Sequence, residues 1–230
     1  MESRIPTNLS PLEQFSISAK SKQMDIGRMA LLFAMSEYSN LDINEELQSI
    51  DSLAAGAKTR IDSNLDPISQ VNTLSEYLFD EVGFQGNYED YYDPKNSFLN
   101  EVLNRRLGIP ITLSLLYMEV GKRLGIPLEG VGMPGHFLVR MKYDHKDLYI
   151  DTFHRGILLS QDECAKMIEA IAGQSIIWDQ NYLAPVSNIE LISRLIRNVH
   201  AIYAHRRDTT RVLIAEKYLL ATKPLIQDQL

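Results

Sequence analysis

RRLGIPITLSLLYMEVGKRLGIPLEGVGMPGHFLVR, Arg105 to Arg140, is the stretch that decides the fold. It sets one Gly-Ile-Pro at Gly108–Pro110, an apolar run, and a second Gly-Ile-Pro at Gly125–Pro127. Pro110 stands where a helix begins, a position that tolerates its missing N–H, and Gly125 stands where the helix stops. The spacing predicts a helix from Ile111 to Leu124 that buries Leu113, Leu116, Tyr117 and Val120. After Pro127 the period changes. LEGVGM, HFLVRMKY and DLYIDTF alternate or run apolar, with DHKD connecting the second and third. A helix followed by two or three antiparallel strands indicates an α+β core rather than a parallel α/β sheet. Such a frame presents a nucleophile at the helix start and a histidine on a neighbouring strand, and His136, between Gly135 and Phe137, is placed to be that histidine.

Upstream, residues 1–20 are polar with little apolar periodicity and read as a flexible arm. From Asp25 onward, Ile26, Met29, Ala30, Leu32, Phe33 and Met35 mark the apolar faces of a helix. Asn40 or Asp42 caps the next one, where Ile43, Leu47, Ile50, Leu53 and Ala54 recur at helical spacing. A third opens near Pro67, turns Val71, Leu74, Leu78 and Phe79 inward and stops at Gly83. Residues 21–85 thus form a helical N-terminal subdomain.

Residues 86–185 are the core. Gly86-Asn87 and Asp93-Pro94 are turn dipeptides, and Tyr88, Tyr91 and Tyr92 cluster between them. SFLNEVLNRRL reads as a short helix capped by Ser97 and closed by Gly108. SQDECAKMIEAIAG is another, with Ser160 and Glu163 spaced as a capping box. In residues 186–230, SNIELISRLIRNVHAIYAHRRD and RVLIAEKYLLATKP form a helix pair with Ala201, Tyr203, Ala215, Tyr218 and Leu219 as its apolar positions and Pro224 as its end. The pair is close to one tetratricopeptide-like unit of roughly 34 residues. It reads as an incomplete array or as a pair that docks on the core.

The chain of 230 residues is 45% hydrophobic and 23% charged, enough to build a core. A net charge of -7 argues against a nucleic-acid surface. The arginines at 194, 197, 206, 207 and 211 have helical spacing and read as a solvated face. A single cysteine, Cys164, rules out an intramolecular disulfide and a Cys-rich zinc knuckle. No secretory leader and no membrane span is legible, so a cytoplasmic location is expected. No cofactor motif is present and none is expected. Asp144, His145, Asp151 and His154 lie close in sequence without an established ligand spacing, so no metal is expected either.

A Cys-His-Asp hydrolase or transferase of the transglutaminase or papain type needs its thiolate at a helix N-terminus, where the macrodipole lowers the thiol pKa. Its histidine acts as base, and an aspartate on the next strand orients the ring. Here Gly108, the helix to Leu124, LGIP at Leu124–Pro127, His136 and Asp151 follow that order. The segments NSFLNEVLNRRLGIPITLSLLYMEV, LGIPLEGVGMPGHFLVR and IDTFHRGILLS resemble the SirB-one family of transglutaminase-like proteins. The resemblance spans roughly residues 25 to 225 and is strongest over 78–160. It implies an α+β fold with a helical N-terminal part, a transglutaminase-like (papain-like) core with a small antiparallel sheet, and a tetratricopeptide-like C-terminal helix pair.

Laying Gly-x-Cys on this helix puts Pro110 where the cysteine belongs. Cys164 lies beyond the histidine and aspartate in chain order and reads as a buried thiol. Thr112 and Ser114 are hydroxyls near the helix start, for which capping or packing is the simpler role. Where the family shows Asp-Pro-Phe-Asn-Gly-Gly, Thr152, His154 and Arg155 depart. The candidate site is therefore a remnant, His136 and Asp151, with Asn100, Arg105, Pro110 and Thr112 as cleft-lining candidates. Arg105 has a second reading, as the partner of Glu101 on its own helix. The leading expectation is a non-catalytic regulatory module that binds a protein partner. The alternative is a hydrolase, amidase or acyltransferase that uses His136 and Asp151 with water or a hydroxyl. Oligomeric state is left open.

Overall fold

A computed structural model describes residues 9–227 except Lys22, Ser63 and His145. The helices, in chain order, are α1 (Pro11–Ser18), α2 (Ile26–Ala34), α3 (Ile43–Lys58), α4 (Pro67–Ser75), α5 (Leu99–Arg105), α6 (Pro110–Leu124), α7 (Gln161–Ala172), α8 (Asn188–His205) and α9 (Thr209–Gln227). The strands are β1 (Gln85–Gly86), β2 (Leu107–Gly108), β3 (Glu129–Val131), β4 (Leu138–Tyr143), β5 (Lys146–Asp151) and β6 (Ile157–Leu159). β1 and β2 form a short parallel pair, and β3-β4-β5-β6 form an antiparallel meander in that order. The fold class is α+β.

Side-chain caps explain most helix starts. Asp25, Asp42 and Asp66 accept backbone N–H bonds at the heads of α2, α3 and α4, and Ser160 forms a capping box with Glu163 at α7. Helix α2 is buried at every position from Ile26 to Ala34 except Arg28, as expected of a helix surrounded by others. Helix α4 continues into a π-helical stretch, Glu76–Glu81, that ends at Gly83 with φ of 89°. Helix α6 starts on Pro110 and ends on Gly125 in the left-handed conformation, as the proline–glycine spacing predicts. Its residues from Pro110 to Gly121 are all buried, because α2, α3, α8 and the sheet pack around it.

Alternation divides the sheet. Val139, Met141 and Ile150 join the main core with α6, whereas Leu138, Tyr149 and Leu159 join a second cluster with Cys164 and Ile168 of α7. With both faces covered, the strands are apolar at consecutive positions, as at Leu138–Val139 and Tyr149–Ile150.

Four sequence expectations change. Residues 11–18 are a helix rather than an arm: Ser10 and Glu13 form a capping box and Phe15 is fully buried. Residues 1–8 of that arm lie outside the described residues. Ser97 does not cap α5; it lies in a 3-10 turn, and α5 starts after Phe98 with no side-chain cap. Gly108 does not close α5 either, since Arg106 takes the left-handed position with φ of 58° and Gly108 pairs in β2. Helix α9 runs past Pro224 to Gln227.

The C-terminal pair docks on the core. Tyr218 sets its ring edge-on to Phe15 at 4.9 Å and to Phe33 at 5.2 Å, and Arg211 pairs with Glu37. Tyr203, Ala215 and Tyr218 are buried, whereas Ala201 faces solvent. Before α8, Val186 N–H donates to Gly130 O at 2.8 Å, and Pro185 bridges Val131. This stitch fixes the start of α8 beside β3. No helix among the described residues is long and apolar enough to cross a membrane.

Candidate functional site

His136 is presented by a turn that requires glycine. Gly135 has φ of 74°, and a Cβ there would meet Ile171 at 2.6 Å. The His136 N–H donates to Met133 O at 3.3 Å, which brings the imidazole to the start of β4. Across the sheet, Asp151 ends β5 and is fully buried. His136 Nε2 donates to Asp151 Oδ2 at 3.0 Å, the pair expected from chain order.

A third residue joins them. His154 Nδ1 donates to the same Oδ2 at 2.7 Å. The other oxygen, Oδ1, accepts the backbone N–H groups of Phe153 at 3.1 Å and His154 at 3.2 Å. A tight turn makes this possible, with Arg155 and Gly156 both at positive φ and Gly156 N–H donating to Asp151 O at 2.7 Å. Burial alone pushes the Asp151 carboxyl up, but the bonds and charge of His136 and His154 hold it below the ordinary carboxylate range. Asp151 is thus a fixed anion with both oxygens in use. The sequence reading treated His154 as a departure from a pattern and, with Asp144, His145 and Asp151, as a metal set to be discounted. An Asp-x-x-His spacing in a turn directly after a strand was the available signal. His145, weighed beside it as a metal ligand, lies outside the described residues.

His136 opens onto a cleft of about 300 Å³. One wall is Gly135, His136 and Phe137, and the second is the head of α6 at Ile109, Pro110 and Ile111. The third is Arg194, Arg197 and Asn198 of α8, with Tyr91 and Met133 completing the lining. Pro110 therefore faces the same space as His136, and no side chain with a nucleophilic atom occupies the head of the helix there.

The other cleft-lining candidates lie elsewhere. Asn100 is buried away from the cleft. Arg105 pairs with Asp93 at 3.0 Å, neither lining the cleft nor bonding Glu101. Thr112 is fully buried; its hydroxyl accepts from Ile109 N–H at 3.1 Å and donates to Asn96 O at 2.7 Å, a capping role. Ser114 is equally buried and shares a hydrogen bond of 2.9 Å with Thr152. Among the tyrosines, Tyr91 reaches the cleft, whereas Tyr88 donates its hydroxyl to Phe153 O at 3.1 Å.

Sequence reasoning placed α8 as a helix but missed its part in the cleft. Arg194 and Arg197, read as part of a solvated face, both reach Glu190, at 3.3 and 3.2 Å, so two guanidinium groups share one carboxylate. Arg194 lies against the backbone of Gly132, where a Cβ would meet its guanidinium carbon at 2.4 Å. The cleft wall keeps an excess positive charge in a chain of net charge -7.

Cys164 sits in the cluster beneath the sheet, fully buried, with its thiol pushed up to about 12 by burial and by the carboxylates of Asp151 and Glu163. It is expected to resist iodoacetamide at mildly alkaline pH in the native chain and to react fully after guanidinium unfolding, read by mass spectrometry. Rapid labelling of the folded chain would show a reachable thiolate instead.

The family described as the transglutaminase-like superfamily matches residues 44–197. A UPF0162 protein of Xylella fastidiosa (strain 9a5c) is 36% identical over 204 residues, covering 86% of this chain and 71% of that protein. A UPF0162 protein of Vibrio cholerae is 30% identical over 130 residues, 56% of this chain and 48% of its own length. F-box only protein 21 of Homo sapiens is 41% identical over 111 residues, 44% of this chain and 17% of its own. No solved structure matches.

Proposed function

The chain belongs to the transglutaminase-like superfamily and to the UPF0162 family, and from that premise we propose that it is a non-catalytic, regulatory binding module. The carrying observation is Pro110 at the head of α6, facing the cleft that His136 also lines, where a nucleophile would have to stand. The buried, internally bonded hydroxyls of Thr112 and Ser114 support the same reading, since neither is free to attack.

The ligand is a segment of a protein partner. Ile109, Ile111, Met133 and Phe137 offer it apolar contact, while Arg194, Arg197 and the α6 N-terminus favour a carboxylate. The finer family assignment, SirB-one with a tetratricopeptide-like tail, fits a module whose last helices help to hold a partner. The reading places it in the cytoplasm.

A second reading is favoured by the opening of the cleft over His136: a hydrolase, amidase or acyltransferase in which His136, oriented by Asp151, activates water. Peptides selected from a displayed library in the presence of EDTA separate the two. The binding reading expects acidic or C-terminal carboxylate peptides whose affinity falls at least about tenfold in the double variant Arg194→Ala, Arg197→Ala. Selected peptides that bind the double variant equally well would refute it. Ester or amide turnover that vanishes in His136→Ala would establish the second reading instead.

A further inference from the structure

We propose that His136, Asp151 and His154 form a site for one divalent transition-metal ion of the zinc type. The three ligand atoms, His136 Nε2, Asp151 Oδ2 and His154 Nδ1, lie within 4.8 Å of one another. They come from three places that the fold fixes separately: the glycine turn before β4, the end of β5, and the turn closed by Gly156. Two imidazoles and one carboxylate suit zinc and its neighbours in the first transition row rather than magnesium or calcium, which prefer oxygen donors.

The carboxylate is prepared for the task. Its Oδ1 is held by two backbone N–H groups, which leaves Oδ2 aimed at both rings. Outer bonds of this kind orient metal ligands and tune their affinity. The same oxygen accepts two ring N–H bonds, at 3.0 and 2.7 Å. An ion would replace those two protons; Zn–N and Zn–O bonds of about 2.0–2.2 Å set tetrahedral ligand atoms roughly 3.3 Å apart, so each ring nitrogen draws back slightly from Oδ2 while the two ring nitrogens, now within 4.8 Å, close toward each other. The His154 side chain, 44% exposed, is free to make that adjustment, whereas His136 and Asp151 are nearly enclosed.

His136 also lines the cleft, so an ion held there borders the place where a carboxylate ligand is expected. The inference does not rest on partner binding, and either can fail alone: peptide selection is run in EDTA, and metal binding is measured without peptide.

The test uses the full chain, stripped with a chelating resin and titrated with Zn²⁺ against a chromophoric chelator, with Co²⁺ absorption as a second signal. One ion per chain is expected, with affinity weakened at least about tenfold in His154→Asn and in Asp151→Asn. His136→Asn is expected to behave likewise, whereas His200→Asn, which alters a separate pair with Glu216, changes nothing. Circular dichroism checks that each variant folds, and the exposed position of His154 makes its variant the decisive one. No binding below about 1 mM, or unchanged affinity in folded His154→Asn or His136→Asn, would overturn the proposal.

Discussion

Arg123→Ala is expected to cost about 3–5 kcal/mol of folding stability, measured by urea unfolding. Glu119 lies on α6 with no exposed surface, and Arg123 Nη1 holds its Oε2 at 2.6 Å. The remaining cation, Lys122, is 3.9 Å from Oε1 and mostly in solvent. Removing the guanidinium leaves a carboxylate in the core with almost nothing to compensate it, and also cuts the link from Arg123 to Asp51 on α3. Because a buried ion pair is costly to form, the double variant Glu119→Leu, Arg123→Ala should recover most of the loss. A single-variant cost below about 1 kcal/mol would show that water reaches Glu119.

Tyr218→Ala should have an effect of similar size, about 3–5 kcal/mol, the usual range for emptying an aromatic core position. The ring fills the space between Phe15 of α1 and Phe33 of α2, and its hydroxyl donates to Leu32 O at 3.3 Å. Burial pushes that hydroxyl up to about 12, so it stays protonated as a donor at neutral pH. Tyr218→Phe removes only the hydrogen bond and should cost about 1 kcal/mol. With α9 integral to the core, thermal unfolding of Tyr218→Ala remains one transition at lower temperature. A separate early melting of the tail, leaving the main transition in place, would mean that the pair folds by itself.

Much of the scaffold was legible because local chemistry sets it. Pro110 and Gly125 bracket α6, and Asp42 and Ser160 open their helices in the way their side chains allow. Helix α1 escaped notice because one buried side chain, Phe15, carries it, and a single apolar position makes no period. Gly108 misled because the end of α5 is set by pairing of Leu107–Gly108 with Gln85–Gly86, a contact between distant residues. The site divides the same way. His136 and Asp151 were readable from their order along the chain. The α8 arginines were not, because what turns them toward the cleft is the bonding of Pro185 and Val186 to β3.

That stitch has a consequence for when the protein becomes competent. The cleft's third wall is α8, which begins at Asn188, whereas the histidine and the head of α6 are complete far earlier in the chain. During synthesis the chain must extend through α8 before Arg194 can settle on Gly132. A nascent chain that has not yet added α8 therefore carries the histidine and the head of α6 in an unfinished cleft.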